Sequence, residues 1–352
     1  MATRIHIIHL KPHDEQALII SVLCRHHRGV WIRHRGVALA QPGFKGQTWI
    51  KTEKCFEQPG FKYYSFISPT LNDINCVLNT VFLAGNSAGD GEQILLGVFG
   101  GLIVAQCVQI LYESFRPRRG AAAFGAKLAS VFTLIGQLTT IAVSAPIYFT
   151  IVVLGPKPRG QWRPKSEYIY TTLIAFFIGG LLPSLWMQES GMSFDALSFW
   201  QPFPLYVNIL SVVLPVLFVP IFANSSPMAP ILILTALVLY PSLKGHLRLL
   251  QSSIPLRDVL LYYLPEDWPA GAPDNLGFIA HLVFSADFTF TLISNYSWLL
   301  CNLRPKSIGA ALGYIVVLAL LTVAAGPGSA SALVFAWNEL LGPNSGNVPL
   351  NI

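Results

Sequence analysis

Residues 277–303 read GFIAHLVFSADFTFTLISNYSWLLCNL, an apolar run with a carboxylate, Asp287, near its middle. A membrane-spanning helix needs about 20 predominantly apolar residues, and a charge at its centre costs about 2.5–3.5 kcal/mol even on insertion scales. Asp287 is therefore either buried against a partner in a helix bundle or the working group of a site inside the membrane. Six more apolar runs, at 94–112, 128–154, 168–187, 203–223, 229–243 and 308–325, extend the pattern. Together they predict an all-α, polytopic transmembrane helix bundle of about seven spans.

Two weaker segments bracket that count. The one at 66–84 is interrupted by Asn72, Asp73 and Asn75, and an eighth span results if it crosses. The stretch 329–341 is too short to cross alone, which makes it re-entrant or interfacial. Hydrophobic residues form 53% of the chain and charged residues 11%, well below the roughly 25% charged of soluble domains. The net charge of +6 is clustered in loops, which fits the positive face of a membrane protein better than nucleic-acid binding. Cys24, Cys55, Cys76, Cys107 and Cys301 are scattered without a CxxC pair, so neither a zinc site nor a disulfide framework is expected.

Residues 1–64 are of different material and form a basic N-terminal arm, expected to be solvated and poorly ordered. They hold His6, His9, His13, His26, His27 and His34 without regular ligand spacing, and a basic stretch from Arg25 to Arg35. The transmembrane helical domain then takes 65–352. The loops at 113–127 and 155–167 are both basic. If 128–154 crosses once they lie on opposite faces, so the positive-inside rule does not fix the orientation. A multi-pass protein of an intracellular membrane, such as the endoplasmic reticulum, is expected.

Candidate chemistry gathers around Asp287. Positions three, four, seven and eleven residues away share its helix face, which carries Phe284, Phe290, Thr291, Ser294 and Trp298. A carboxyl among rings and hydroxyls is desolvated, stays protonated and can donate a proton, while the rings stabilise a passing cation. The alternative is an aspartate that only hydrogen-bonds a neighbouring span. Asp195 and Glu189 lie in the link 188–201, which holds Trp200 and no lysine or arginine, so its acids lack a local partner. Glu113 ends the 94–112 run and either serves as an acid or pairs with Arg116 at the interface. Asp287, Asp195 and Glu113 are thus the candidate proton donors, and Phe284, Phe290, Trp298, Trp200 and Thr291 the candidate substrate wall. His281 reads as a packing residue, and Glu339 has no assigned place.

Several chemistries lack their signatures. The chain has no DDxxD, P-loop, HExxH or GxSxG, so diphosphate ionisation, zinc hydrolysis and serine hydrolysis are unsupported. No metal and no cofactor is expected.

The stretches Tyr168–Met187 (YIYTTLIAFFIGGLLPSLWM) and Ser198–Val207 (SFWQPFPLYV) resemble the fungal membrane-bound terpene cyclases, and among them the ascochlorin/ascofuranone and macrophorin type. The resemblance covers roughly residues 90 to 340 and leaves the arm aside. It implies an intramembrane cyclase of meroterpenoid biosynthesis that protonates an alkene or epoxide of a farnesylated substrate without metal. The partner is then a lipid-like prenylated small molecule arriving from the bilayer lipids. A proton-coupled small-molecule transporter is the competing class, since an intramembrane acid and proline-broken spans suit a carrier. No inverted repeat is evident between 94–223 and 229–341. A membrane protein whose polar residues only pack helices is the third reading.

Overall fold

The computed structural model describes residues 61–62, 64, 68–87, 89–117, 128–154, 163–254, 276–303, 305 and 307–341. Residues 1–60 of the basic arm and 255–275 of the 244–276 loop lie outside the described residues. The described chain is helical: α1 Pro69–Ser87, α2 Asp90–Ser114, α3 Ala129–Thr139, α4 Ile141–Leu154, α5 Ser166–Phe176 and α6 Leu182–Glu189. There follow α7 Phe194–Trp200, α8 Phe203–Phe222, α9 Met228–Gln251, α10 Leu276–Leu303, α11 Ile308–Ala325 and α12 Pro327–Leu340. A π-helical turn, Phe177–Leu181, joins α5 to α6. Pro183 has no N–H to donate to the preceding turn, which accounts for local loosening there.

Five helices among the described residues are long and apolar enough to cross a membrane: α2, the continuous α5–α6 rod, α8, α9 and α11. The expectation of about seven crossings is met in part. The 277–303 run does form one helix of 28 residues, long enough to cross. The 128–154 run is two helices and not one span. It breaks at Thr140, whose φ of 144° is uncommon for a β-branched residue. At Gly136 a methyl group would stand 2.5 Å from the Ser144 hydroxyl, so α3 folds back closely on α4. Hydropathy is high on both sides of the break and dips only briefly at it, through Gly136, Gln137 and Thr139.

Small residues set the centre of the bundle. A methyl group at Gly101 of α2 would lie 2.5 Å from the Ser242 Cα of α9, and one at Gly245 would lie 2.4 Å from the Gly97 carbonyl oxygen. Backbones therefore meet directly, as glycine permits in membranes. Helix α12 starts beside Gly101, halfway along α2, and most of its residues are buried. The 329–341 segment is thus an inserted helix, not an interfacial one. Lipid-facing surface is supplied by α8 and α11, where Val216 is 77% and Val323 71% exposed.

Contacts fix the directions. Glu92 meets His281, Phe99 meets Phe284 and Phe288, and Gln109 meets Asn295, so α2 and α10 run parallel. Ala142 meets Asp287 and Phe149 meets Trp298, which adds α4 in the same sense. Gln109–Ser331 and Tyr112–Phe335 align α12 with them. Four helices pointing one way enclose the interior that carries the polar residues.

Candidate functional site

Asp287 stands at the N-terminus of α4. Its Oδ1 accepts the Ala142 N–H at 3.4 Å, just beyond the break at Thr140. The first amides of a helix have no intrahelical partner, and a carboxyl oxygen beside them satisfies the donor. The carboxyl is accommodated at mid-helix because a neighbouring helix begins there. The side chain is buried.

Two turns further along α10 comes a closed ring of three side chains. Gln109 Nε2 donates to Ser331 Oγ at 2.7 Å, Ser331 Oγ donates to Asn295 Oδ1 at 2.6 Å, and Asn295 Nδ2 donates to Gln109 Oε1. Each group thereby serves its neighbour without water, which a dry interior requires. Between this ring and Asp287 lie Thr291 and Gln106, both fully buried.

Aromatic clusters flank the polar layer on both sides. Towards the start of α10, Phe82 lies 5.2 Å from both Trp200 and Phe284, and Phe99 lies 6.4 Å from Phe284 and from Phe288. Towards its end, Trp298 stacks on Phe149 at 4.9 Å and on Phe335 at 6.1 Å. The wall residues expected from the sequence are therefore divided: Phe284 and Trp200 join through Phe82 above the layer, Trp298 lies below, and Thr291 is in it. Phe290 is only half-buried. Trp200 also donates its indole N–H to Ser184 Oγ at 2.9 Å.

The other two candidate acids lie elsewhere. Asp195 is at the rim and half-exposed, with partners that the local sequence did not reveal. Lys62 donates to its Oδ2, and Tyr64 O–H donates to its Oδ1 at 2.9 Å. The Lys62 and Tyr64 hydrogen bonds hold the Asp195 carboxyl below its usual range, although burial alone would raise it. Glu113 pairs with Arg116 as foreseen, near the end of α2, and the pair is fully buried. Arg116 also bridges to Glu339, which accepts the Tyr112 hydroxyl at 2.8 Å. Glu339 and Tyr112 thus complete a charged cluster whose members are distant in sequence.

Sequence reasoning also missed the role of Glu92. Its Oε1 lies 2.7 Å from His281 Nδ1, with both side chains buried. His281 shares a face with Phe284 and Phe288, seven residues away, a spacing that points to the α2 contact. Cys76 is disulfide-bonded, against the expectation of no disulfide, and its partner lies outside the described residues. Among the described residues no three His, Cys, Asp or Glu side chains gather in a metal-holding group. A cavity between α2, α3, α5 and α8, lined by Cys107, Thr133, Phe176, Phe203 and Val207, measures about 20 Å³. It has room for about one water.

Described residues that are helical throughout, with five helices long and apolar enough to cross, fit a multi-pass membrane protein with a polar layer among its parallel helices. The CtvD domain matches residues 77–339, and the chain belongs to that family, a fungal, meroterpenoid cyclase-like one. No curated protein and no solved structure matched. Family membership points to a biosynthetic membrane protein of secondary metabolism.

Proposed function

We propose that the protein is an intramembrane terpene cyclase that acts on a farnesylated, epoxidised or olefinic substrate by acid-initiated cation chemistry without metal. One arrangement supports this: Asp287 lies in a buried polar layer with aromatic clusters on either side. The Asp287 carboxyl gives its proton to the epoxide oxygen. The carbon–oxygen bond then breaks towards a tertiary cation, and a neighbouring alkene attacks that carbon to close a ring. Phe284, Phe288, Trp298 and Phe149 stabilise the moving charge through their ring quadrupoles. The last cation loses a proton to the Asp287 carboxylate left by the first step, so the acid is regenerated.

The packed interior has consequences for entry. With Gln106, Thr291 and Trp298 fully buried, α10 and its neighbours must part to admit a farnesyl chain. The broken α3–α4 helix supports the transporter as a second reading, because carriers place half-helix ends at their ion sites. Membranes from a heterologous fungus, given a farnesylated phenol epoxide, separate the two. Conversion to a cyclised isomer of unchanged mass supports the cyclase. Proton-dependent uptake into sealed vesicles without conversion supports the carrier.

A further inference from the structure

Gln106 and Thr291 are fully buried, and neither the Gln106 amide nitrogen, the Gln106 amide oxygen nor the Thr291 hydroxyl has a hydrogen-bond partner among the described residues. Such groups are rare in folded proteins, and each calls for a ligand, a water or a functional reason. Their setting locates them. On α2, Gln106 lies angularly between Phe99 and Gln109, both of which touch α10, so it is turned to that helix. On α10, Thr291 lies one turn after Asp287 and one turn before Asn295. Counting back from the Gln109–Asn295 contact along parallel helices puts Gln106 and Thr291 at one level. The Thr140 hydroxyl, two residues before the amide that Asp287 accepts, is also buried without a partner.

The contrast with the next turn is informative. Gln109, Asn295 and Ser331 close their hydrogen bonds on one another. Gln106 and Thr291, a turn away, leave donors and acceptors open beside the carboxyl. An apolar side chain would pack there without that cost, as at Leu102 and Phe288 close by.

We propose that Gln106 and Thr291 form an oxygen-binding subsite that holds a neutral oxygen of the substrate, the epoxide oxygen, beside Asp287. This rests on the cyclase reading and specifies its substrate contact. The Gln106 Nε2–H and the Thr291 hydroxyl donate to the two lone pairs of the bound epoxide oxygen, and Thr291 gives up its place when Asp287 delivers the proton. After the carbon–oxygen bond breaks, the new hydroxyl donates to Gln106 Oε1. An amide suits this position because it offers a donor to the reactant and an acceptor to the product. A bound water has the same chemistry, and the test distinguishes the two.

The test measures binding apart from turnover. Purified full-length protein in detergent is titrated with a farnesylated phenol epoxide and with the olefin that lacks its oxygen, by thermal shift. The wild type should bind the epoxide more tightly, by about tenfold for one well-made hydrogen bond. Gln106→Met and Thr291→Val should fold, melt no lower than wild type, and bind the two probes equally. Asp287→Asn should keep the epoxide preference and lose conversion. An epoxide preference that survives in both Gln106→Met and Thr291→Val overturns the subsite, and so does a melting temperature that falls in both with the preference intact, the mark of a structural water. If the wild type shows the preference but converts neither probe, the subsite stands and the cyclase reading falls.

Discussion

The carboxylate of Asp287 accepts the backbone N–H of Ala142, a residue 145 positions earlier in the chain, at 3.4 Å. That contact ties the break between α3 and α4 to the middle of α10. The acid is thereby held by a backbone amide of another helix. Since the same oxygen caps a helix and sits in the polar layer, packing and chemistry share one residue. A variant that keeps an acceptor oxygen separates them.

The cluster of Glu113, Arg116, Glu339 and Tyr112 fixes the end of α2 against α12. Removing one partner from a buried ion pair leaves an uncompensated charge and costs about 3–5 kcal/mol. Arg116→Met should therefore lower the melting temperature sharply in detergent. The triple variant Glu113→Leu, Arg116→Met, Glu339→Leu should recover most of that loss, because apolar residues of similar volume replace buried ion pairs well. A triple variant as unstable as the single one would show that the cluster does more than hold the helices together.

The clasp of Lys62 and Tyr64 on Asp195 joins the segment before α1 to the α6–α8 connector. Its pH window follows from two opposed shifts. Asp195 is held below its usual range, so its contribution is present above the ordinary carboxylate pKa and is lost only as pH falls through the lower native value. Lys62 is raised by its hydrogen bond to Asp195, so its contribution is present below the ordinary lysine value and lost as pH rises through the raised one. Limited proteolysis before α1 should stay constant from roughly pH 5 to 10 and increase on the acid side of that range. Lys62→Ala should give the same increase at neutral pH. Cleavage that changes between pH 6 and 8 would assign the clasp to another group.

Much of the bundle was legible in the sequence, because long apolar runs have few alternatives to helices in a membrane. The parts that were not legible share a cause. The Thr140 break follows Gly136, Gln137 and Thr139, a polar dip too short to divide an apolar run of membrane length. The partners of Asp195, Glu92 and Glu113 lie between three and 189 positions away, and all but Arg116 are more than 100 away. Helical spacing can show which residues share a face with Asp287, but not which helix that face meets. Hence Thr291 was found from α10 alone, whereas Gln106, on α2, needed the packing of the two helices.

The family of reactions in which a diphosphate leaves requires magnesium on paired carboxylates, and the chain has no DDxxD run. Conversion in washed membranes should continue after treatment with a strong chelator, at a rate within about twofold of the untreated sample, a margin far smaller than the several kcal/mol a catalytic metal supplies. Loss of conversion that magnesium restores would replace proton-initiated chemistry with diphosphate ionisation.

Substitution at Asp287 is the sharpest test of the acid. In Asp287→Asn the amide oxygen still accepts the Ala142 N–H, so the α4 N-terminus keeps its cap and the side-chain volume is unchanged. The transferable proton is gone. General acid catalysis contributes about 100- to 10,000-fold, so this variant should insert and melt like the wild type yet convert a farnesylated phenol epoxide at least about 100-fold more slowly. Asp287→Ala removes the cap as well and should lose about a further 1 kcal/mol of stability. Asp195→Asn and Glu113→Gln are the controls: the first loosens the rim clasp, the second weakens the Arg116 cluster, and both should retain conversion in proportion to folded protein. If Asp287→Asn converts at the wild-type rate while one of the controls abolishes conversion, the proton comes from that acid and Asp287 serves only as the cap of α4.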